Sequence, residues 1–297
     1  MSEQTAILVT GSTGQLGQSL KAIIDNYPQF HFVFANRSQL DLNQSDSITR
    51  YFEQHQFDVI INCAAHTAVD KAESEPELAN QINHLAVKQL AECAKQHNAK
   101  LIHISTDYVF DGKSYRPYRE DDTVTPQGVY GQTKLDGELS VQKILKNNAV
   151  IIRTSWVYSE YGNNFVKTML KLGKERESLN VIFDQVGTPT YAKDLAIAIM
   201  EITGSTEFNK NDFDTQIIHF SNEGVCSWYD FSKAIFELST ISCDVSAIET
   251  KDYPTPAKRP HYSVLNKAKI KQTYRLTIPY WKDSLKQCLS ALQDFEK

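Results

Sequence analysis

Near the amino terminus, the stretch VTGSTGQLG sets Gly11, Gly14 and Gly17 at three-residue spacing between a strand-like run, AILVT (6–10), and a segment with Leu16, Leu20, Ile23 and Ile24 at helical spacing. No other feature constrains the fold as tightly. Gly11 allows a tight turn, Gly14 lets a pyrophosphate approach the backbone, and Gly17 lets the helix pack close to the strand, with free N–H groups and the positive helix end facing the phosphates. The loop therefore predicts a dinucleotide site at Gly11, Gly14, Gln15, Leu16 and Gly17.

The rest of the first half repeats this rhythm. FHFVFA (30–35), DVIINCAA (58–65), AKLIHIST (99–106) and AVIIRTS (149–155) read as strands, with helices from Ser45 through Phe52, from about Pro76 to His97, and over 130–146 and 163–175. Ser45 and Asp46 are candidate caps for the first of these helices. Strands that are apolar nearly throughout belong to a parallel sheet covered on both faces. Alternation with helices predicts an α/β fold, a Rossmann-type doubly wound parallel sheet.

Beyond residue 156 the pattern loosens. Segments 179–183 and 216–222 look like strands, 191–203 and 227–239 like helices, and the prolines of KDYPTPAKRP (251–260) enforce a largely extended loop. No Gly/Ser linker separates the parts. The predicted organisation is a dinucleotide-binding domain over 1–155 and a smaller substrate-binding lobe over 156–297, interleaved with the first.

Composition excludes several classes. With 41% hydrophobic and 23% charged residues, the chain is globular in character, and it has no apolar run near the ~20 residues of a membrane span and no signal-peptide pattern. A cytoplasmic protein without membrane association is expected. A net charge of −5 argues against nucleic-acid binding, which needs a basic stripe. Five scattered cysteines without a Cys-x-x-Cys pair indicate neither disulfides nor zinc, and no ligand-spaced cluster suggests another metal.

At the end of the second strand stand Asn36 and Arg37, with no carboxylate before Asp41. An acidic residue there selects an unphosphorylated ribose. Asn36 can bond a ribose hydroxyl and Arg37 a 2′-phosphate, which favours NADPH, with NADH as the alternative; Asp41 and Leu42 are expected near the adenine.

Tyr130 and Lys134 form a Tyr-x-x-x-Lys pair on one face of a predicted helix. An ammonium beside a phenol lowers the phenol pKa, which suits acid–base work on an alcohol or ketone. A second copy, Tyr229 and Lys233, shows that the spacing recurs by chance, and position decides for Tyr130, which follows strand four at the carboxyl edge of the sheet. Thr106, at the end of that strand, can hydrogen-bond the reacting oxygen. Asn83 can hold backbone or a relay water.

Together these elements resemble the extended short-chain dehydrogenases/reductases. NCAAHTAVDKAESEP (62–76), VYGQTKLDGE (129–138), RTSWVY (153–158), GNNFVKTML (162–170), DQVGTPT (184–190) and YPTPAKRPHYSVLN (253–266) resemble, in order, the dTDP-4-dehydrorhamnose reductase family within them. The resemblance implies Tyr130, Lys134 and Thr106 as the catalytic set, Ala65, His66 and Thr67 lining cofactor and sugar, and Asp107 and Trp156 meeting the substrate. It departs from members that carry an acidic residue after strand two.

Arg259, in the proline-rich loop, is the candidate for a substrate diphosphate, with Lys258 and Lys167 behind it. The expected activity is hydride transfer from NAD(P)H to C4 of a nucleotide-activated 4-keto-6-deoxysugar, with a homodimer as the candidate assembly. A non-catalytic regulator similar to the methionine adenosyltransferase β subunit, and another nucleotide-sugar reductase or epimerase, are the alternatives. An Asp-Glu pair beside the catalytic threonine would mark a dehydratase; here Asp107-Tyr108 follows Thr106.

Overall fold

In the computed structural model, which describes residues 4–295, alternate residues of the central strands part into two cores. Ile7 and Val9 of β1 (Thr5–Thr10) enter one core with Phe32 and Phe34 of β2 (Phe30–Ala35) and Ile61 of β3 (Val59–Asn62). Leu8 and Ile60 enter the other with Leu101 of β4 (Lys100–Thr106) and Ile151 of β5 (Ala149–Thr154). Because side chains alternate with period two and both faces are covered, each strand must be apolar along its length.

All six strands of this sheet are parallel, in the order Gln216–His219, β5, β4, β3, β1, β2. The strand order reverses beside β1, so the glycine loop opens at the switch point where ligands of such sheets bind. Helices Gln15–Lys21, Ala192–Gly204 and Ala268–Tyr274 cover one face. Ser45–Gln54, Ala86–Gln96 and Val129–Ile144 cover the other.

Two local expectations need correction. Gln44, not Ser45 or Asp46, occupies the N-cap of the helix Ser45–Gln54, and it supplies no side-chain cap; the Ser45 hydroxyl bonds Gln89 instead. The helix predicted from Pro76 to His97 is interrupted by a π-turn, Gln81–Leu85, which carries Asn83 at its centre. Such bulges insert one residue into a helix and turn a side chain out of the ordinary register.

The second lobe is built around Tyr158, Phe231 and Leu285, where helices Phe165–Glu175, Trp228–Ser239 and Trp281–Phe295 meet a parallel pair of strands, Ser178–Ile182 and Asp244–Ile248. A capping box between Ser227 and Asp230 starts Trp228–Ser239. The chain beyond 156 also returns to the first lobe: Ala192–Gly204 lies on the sheet, and only 216–219 of the expected strand 216–222 pairs with β5. Residues from both sides of position 155 thus share one core on this face of the sheet. Among the described residues no helix is long and apolar enough to cross a membrane.

Candidate active site

Three consecutive residues of β4 each meet one residue of the helix Val129–Ile144. The Ile104 carbonyl accepts from Lys134 Nζ at 2.6 Å, the Ser105 hydroxyl donates to Glu138, and Thr106 stands near enough to the Tyr130 hydroxyl to act on its titration. Thr106 Oγ1 also donates to Asp107 Oδ1 at 3.0 Å and accepts from Tyr108 N. Tyr130, Lys134 and Thr106 are thus brought together at the carboxyl edge of the sheet.

The electrostatics differ from the sequence expectation. Burial pushes Tyr130 up to about 12, with Thr106 drawing it back and Asp107 adding to the rise. Lys134 does not pull the phenol toward neutrality, because its ammonium is turned onto the Ile104 carbonyl and is itself pushed down to about 8 by burial, opposed by Glu138. A phenol that keeps its proton at neutral pH is suited to donate it. Asp107, also buried, is pushed up to about 7, with hydrogen bonds from Thr106 and Ser263 opposing the rise.

The glycine loop has the shape a pyrophosphate requires. Gly11 lies at φ +65°, and a Cβ there would stand 2.8 Å from the Ala64 backbone; at Gly17 it would stand 2.4 Å from the Gly11 carbonyl. Gly14 N donates to Gly11 O at 2.9 Å, closing the turn. The helix Gln15–Lys21 has no side-chain cap, so its first N–H groups are available to an anion. Among the residues predicted to touch the cofactor, Leu16 contributes only backbone, since its side chain is in the core. The Gln15 side chain is also committed elsewhere, to Val157 O, Ser159 and Asn164 of the second lobe.

After β3, residues 65–67 run as a loop toward the same edge. Asn83 holds it: its Oδ1 accepts from His66 N at 2.8 Å and its Nδ2 donates to His66 O at 3.1 Å. Ala65 and His66 are half-buried and Thr67 is exposed; His66 Nε2 lies 3.5 Å from Glu75.

At the end of β2, Asn36 Oδ1 accepts from Ser38 N, Ser38 Oγ and Gln39 N, so only its amide is left for a ribose. Arg37, 74% exposed, pairs with Asp41 at 3.4 Å. Asp41 accepts from Asn43 N, and Leu42 is buried in the core with Leu8 and Ile48. Asp41 closes its own turn and the Leu42 side chain anchors it in the core.

A cleft of about 730 Å³ opens in the second lobe, with Phe165, Arg176, Trp228, Tyr253, Asp70 and Arg259 on its walls. Trp156 adopts the left-handed conformation (φ 48°) and stacks on Trp228 with ring centres 3.6 Å apart. Left-handed backbone at a bulky residue is costly and is concentrated at sites where a side chain must be aimed. Arg259 lies on the wall of this cleft, paired with Asp70 from the helix Val69–Ser74. Tyr108 lies between this pair and Tyr130: its ring meets Tyr130 edge-on at 5.4 Å and its hydroxyl feels both Arg259 and Asp70. Lys258 and Lys167 are spent on Gln127 and the Glu160 carbonyl. Tyr229 lines a separate surface pocket.

Asp70, Glu138, Arg153 and Trp228 were not singled out from the sequence. Glu138 had a signal, since it stands one turn beyond Lys134 on the face that carries Tyr130.

The family model for the RmlD substrate binding domain matches residues 5–294. A dTDP-4-dehydrorhamnose reductase from Aggregatibacter actinomycetemcomitans is 41% identical over 287 residues, 94% of this chain and 97% of the relative. The crystal structure of a dTDP-4-dehydrorhamnose reductase from Clostridium acetobutylicum superposes with a TM-score of 0.91 at 40% identity, covering 97% of this chain and 100% of the other. A dTDP-4-dehydrorhamnose reductase from Bacillus anthracis, solved in complex with NADP, gives a TM-score of 0.90 at 35% identity with the same coverage.

Proposed function

This chain belongs to the dTDP-4-dehydrorhamnose reductase family, and we propose that it reduces C4 of dTDP-4-dehydro-L-rhamnose with NADPH to give dTDP-L-rhamnose. The observation that carries the reading is the juxtaposition of Thr106, Tyr130 and Lys134 at the carboxyl edge of the sheet, beside a glycine loop shaped for a pyrophosphate. NADPH, when bound, supplies the hydride. Gly11, Gly14 and Gly17 would hold its pyrophosphate, and Arg37, where no carboxylate repels it, its 2′-phosphate.

The chain's own residues then handle the proton. Thr106 holds the sugar O4 beside the Tyr130 hydroxyl, and the phenol, protonated at neutral pH, gives its proton to O4 as negative charge develops there. The C4 carbonyl becomes an alcohol and Tyr130 a phenolate. Lys134 would hold the nicotinamide ribose, and its ammonium would stabilise that phenolate before the proton is replaced from water. Asp107 and Trp156 orient the sugar, and Arg259 meets the diphosphate. A cytosolic setting and a homodimeric state belong to the same proposal, and are read by fractionation and light scattering.

The deciding experiment is loss of NADPH absorbance on addition of dTDP-4-dehydro-L-rhamnose. Turnover supports the reductase. Binding of NADPH without turnover on this or any other nucleotide-activated 4-keto sugar would instead make the chain a non-catalytic binding subunit.

A further inference from the structure

Behind the reacting groups lies a buried ion pair that the reaction itself does not use. Arg153 of β5 donates to Glu138 through Nε, at 3.0 and 3.2 Å to the two carboxylate oxygens, and through Nη2 at 2.7 Å; the side chains are 3% and 1% exposed. Ser105 donates to the same carboxylate, and the Arg153 guanidinium stands over the Phe110 ring at 5.0 Å.

A buried pair of this kind adds little net stability, because desolvation offsets most of the attraction. Its placement is what calls for an explanation. Tyr130, Lys134 and Glu138 follow one another at intervals of four along one helix face; Lys134 and Glu138 bond Ile104 and Ser105, and Tyr130 lies by Thr106, the next residue of β4. The carboxylate is therefore the anionic anchor in the contact that sets the catalytic helix against the catalytic strand, beside the Lys134 ammonium.

We propose that Glu138, clamped by Arg153, is a positioning residue for the reduction: through Ser105 it fixes Thr106 against Tyr130, and it supplies the anion that Lys134 faces across one helical turn. The proposal rests on the reductase reading. The groups facing the Lys134 ammonium are Glu138 and Tyr130 on its own helix, the Ile104 carbonyl and His103 on β4, and Arg153 behind Glu138 on β5. His103 is held neutral by burial and by Lys134 itself, so Glu138 is the anion among them. Its removal shifts the loss of the Lys134 proton to lower pH.

Two variants test this. Ser105→Ala removes one contact and creates no buried charge. We expect a fall in kcat of roughly tenfold, as a sub-ångström misplacement of reacting groups produces, with KM and NADPH affinity within about twofold of wild type. Glu138→Gln keeps the shape and the acceptor for Ser105 but removes the charge. Its alkaline limb, in kcat and in the pH dependence of NADPH affinity followed by nicotinamide fluorescence, should move to lower pH; Glu138→Asp should restore the limb partly.

Wild-type turnover is measured alongside, so a failed reductase reading shows as NADPH binding without reduction in every protein. The affinity profile still judges Glu138 in that case. Wild-type kcat in folded Ser105→Ala, or an unmoved alkaline limb in Glu138→Gln, overturns the proposal. If Glu138→Gln does not fold, the kcat of Ser105→Ala decides alone.

Discussion

Arg259 grips Asp70 with both prongs of its guanidinium, Nη1 to Oδ1 at 3.0 Å and Nη2 to Oδ2 at 2.8 Å. The pair ties the proline-rich loop of the second lobe to the helix that follows β3, across 189 residues of chain. Asp70 is held below the ordinary carboxylate range by the Arg259 hydrogen bond, so it stays ionised throughout the neutral range.

An incoming diphosphate must share Arg259 with that carboxylate. Arg259→Ala should raise KM for the nucleotide sugar by roughly 10- to 100-fold, the worth of a charge-assisted contact, and leave NADPH affinity near wild type. Asp70→Asn removes a like charge beside the phosphate and should lower KM by about two- to threefold, a small effect because the site is wet and screened. Saturation curves for the two variants check both. Unchanged KM in Arg259→Ala would make the loop structural.

Tyr130→Phe retains the ring packed against Tyr108 but not the proton. Hydride transfer should fall by ~10²–10⁴-fold, the usual worth of general acid catalysis, while cofactor binding and thermal stability hold. Tyr229→Phe, on the helix Trp228–Ser239, should leave the rate unaltered. Single-turnover NADPH oxidation compares the two, and an equal loss in both would remove Tyr130 from its role.

The titrations of Lys134 and Asp107 frame the pH dependence. Lys134, pushed down to about 8 by burial, acts as the ammonium, so kcat/KM should decline as pH rises through about 8. Asp107, pushed up to about 7 by burial, gains its charge only as pH rises through that value, so KM for the sugar should change on the acid side. Lys134→Met should abolish the alkaline limb at a much lower rate, and Asp107→Asn should flatten the acid limb. A profile flat from pH 6 to 9 on an otherwise active enzyme would contradict both assignments.

The elements that recur locally were legible in the sequence. The glycine loop, the apolar strands and the Tyr-x-x-x-Lys helix depend on neighbours a few residues away, and they stand where their spacing predicts. What depended on distant chain was not. Nothing near Asp70 announces a partner at position 259, and nothing in QIIH announces that it returns to pair with β5. The π-turn that carries Asn83 accompanies the bonding of its amide to the His66 backbone, a long-range contact that periodicity does not record. The phenol was misjudged for the same reason: spacing puts a lysine near the tyrosine, but burial, a property of the whole fold, outweighs it.

Cofactor selectivity is decided at a surface where one side chain has two anions to choose between. Arg37 is 74% exposed and leans on Asp41 at 3.4 Å, a contact worth little in water. A 2′-phosphate offers more charge and a geometry that the planar guanidinium can meet with two hydrogen bonds, so Arg37 should leave Asp41 for it. NADPH should therefore bind more tightly than NADH by roughly 1.5–3 kcal/mol, the range of a charged hydrogen bond. Arg37→Ala should erase most of that difference by weakening NADPH alone, since NADH offers the arginine no phosphate. Asp41→Asn should strengthen NADPH slightly by removing the competitor, provided the turn that Asp41 closes through Asn43 N survives with the amide oxygen as acceptor. Fluorescence titration of both cofactors against wild type and the two variants checks each step, and equal affinities that ignore Arg37→Ala would show that the arginine is a solvated surface charge.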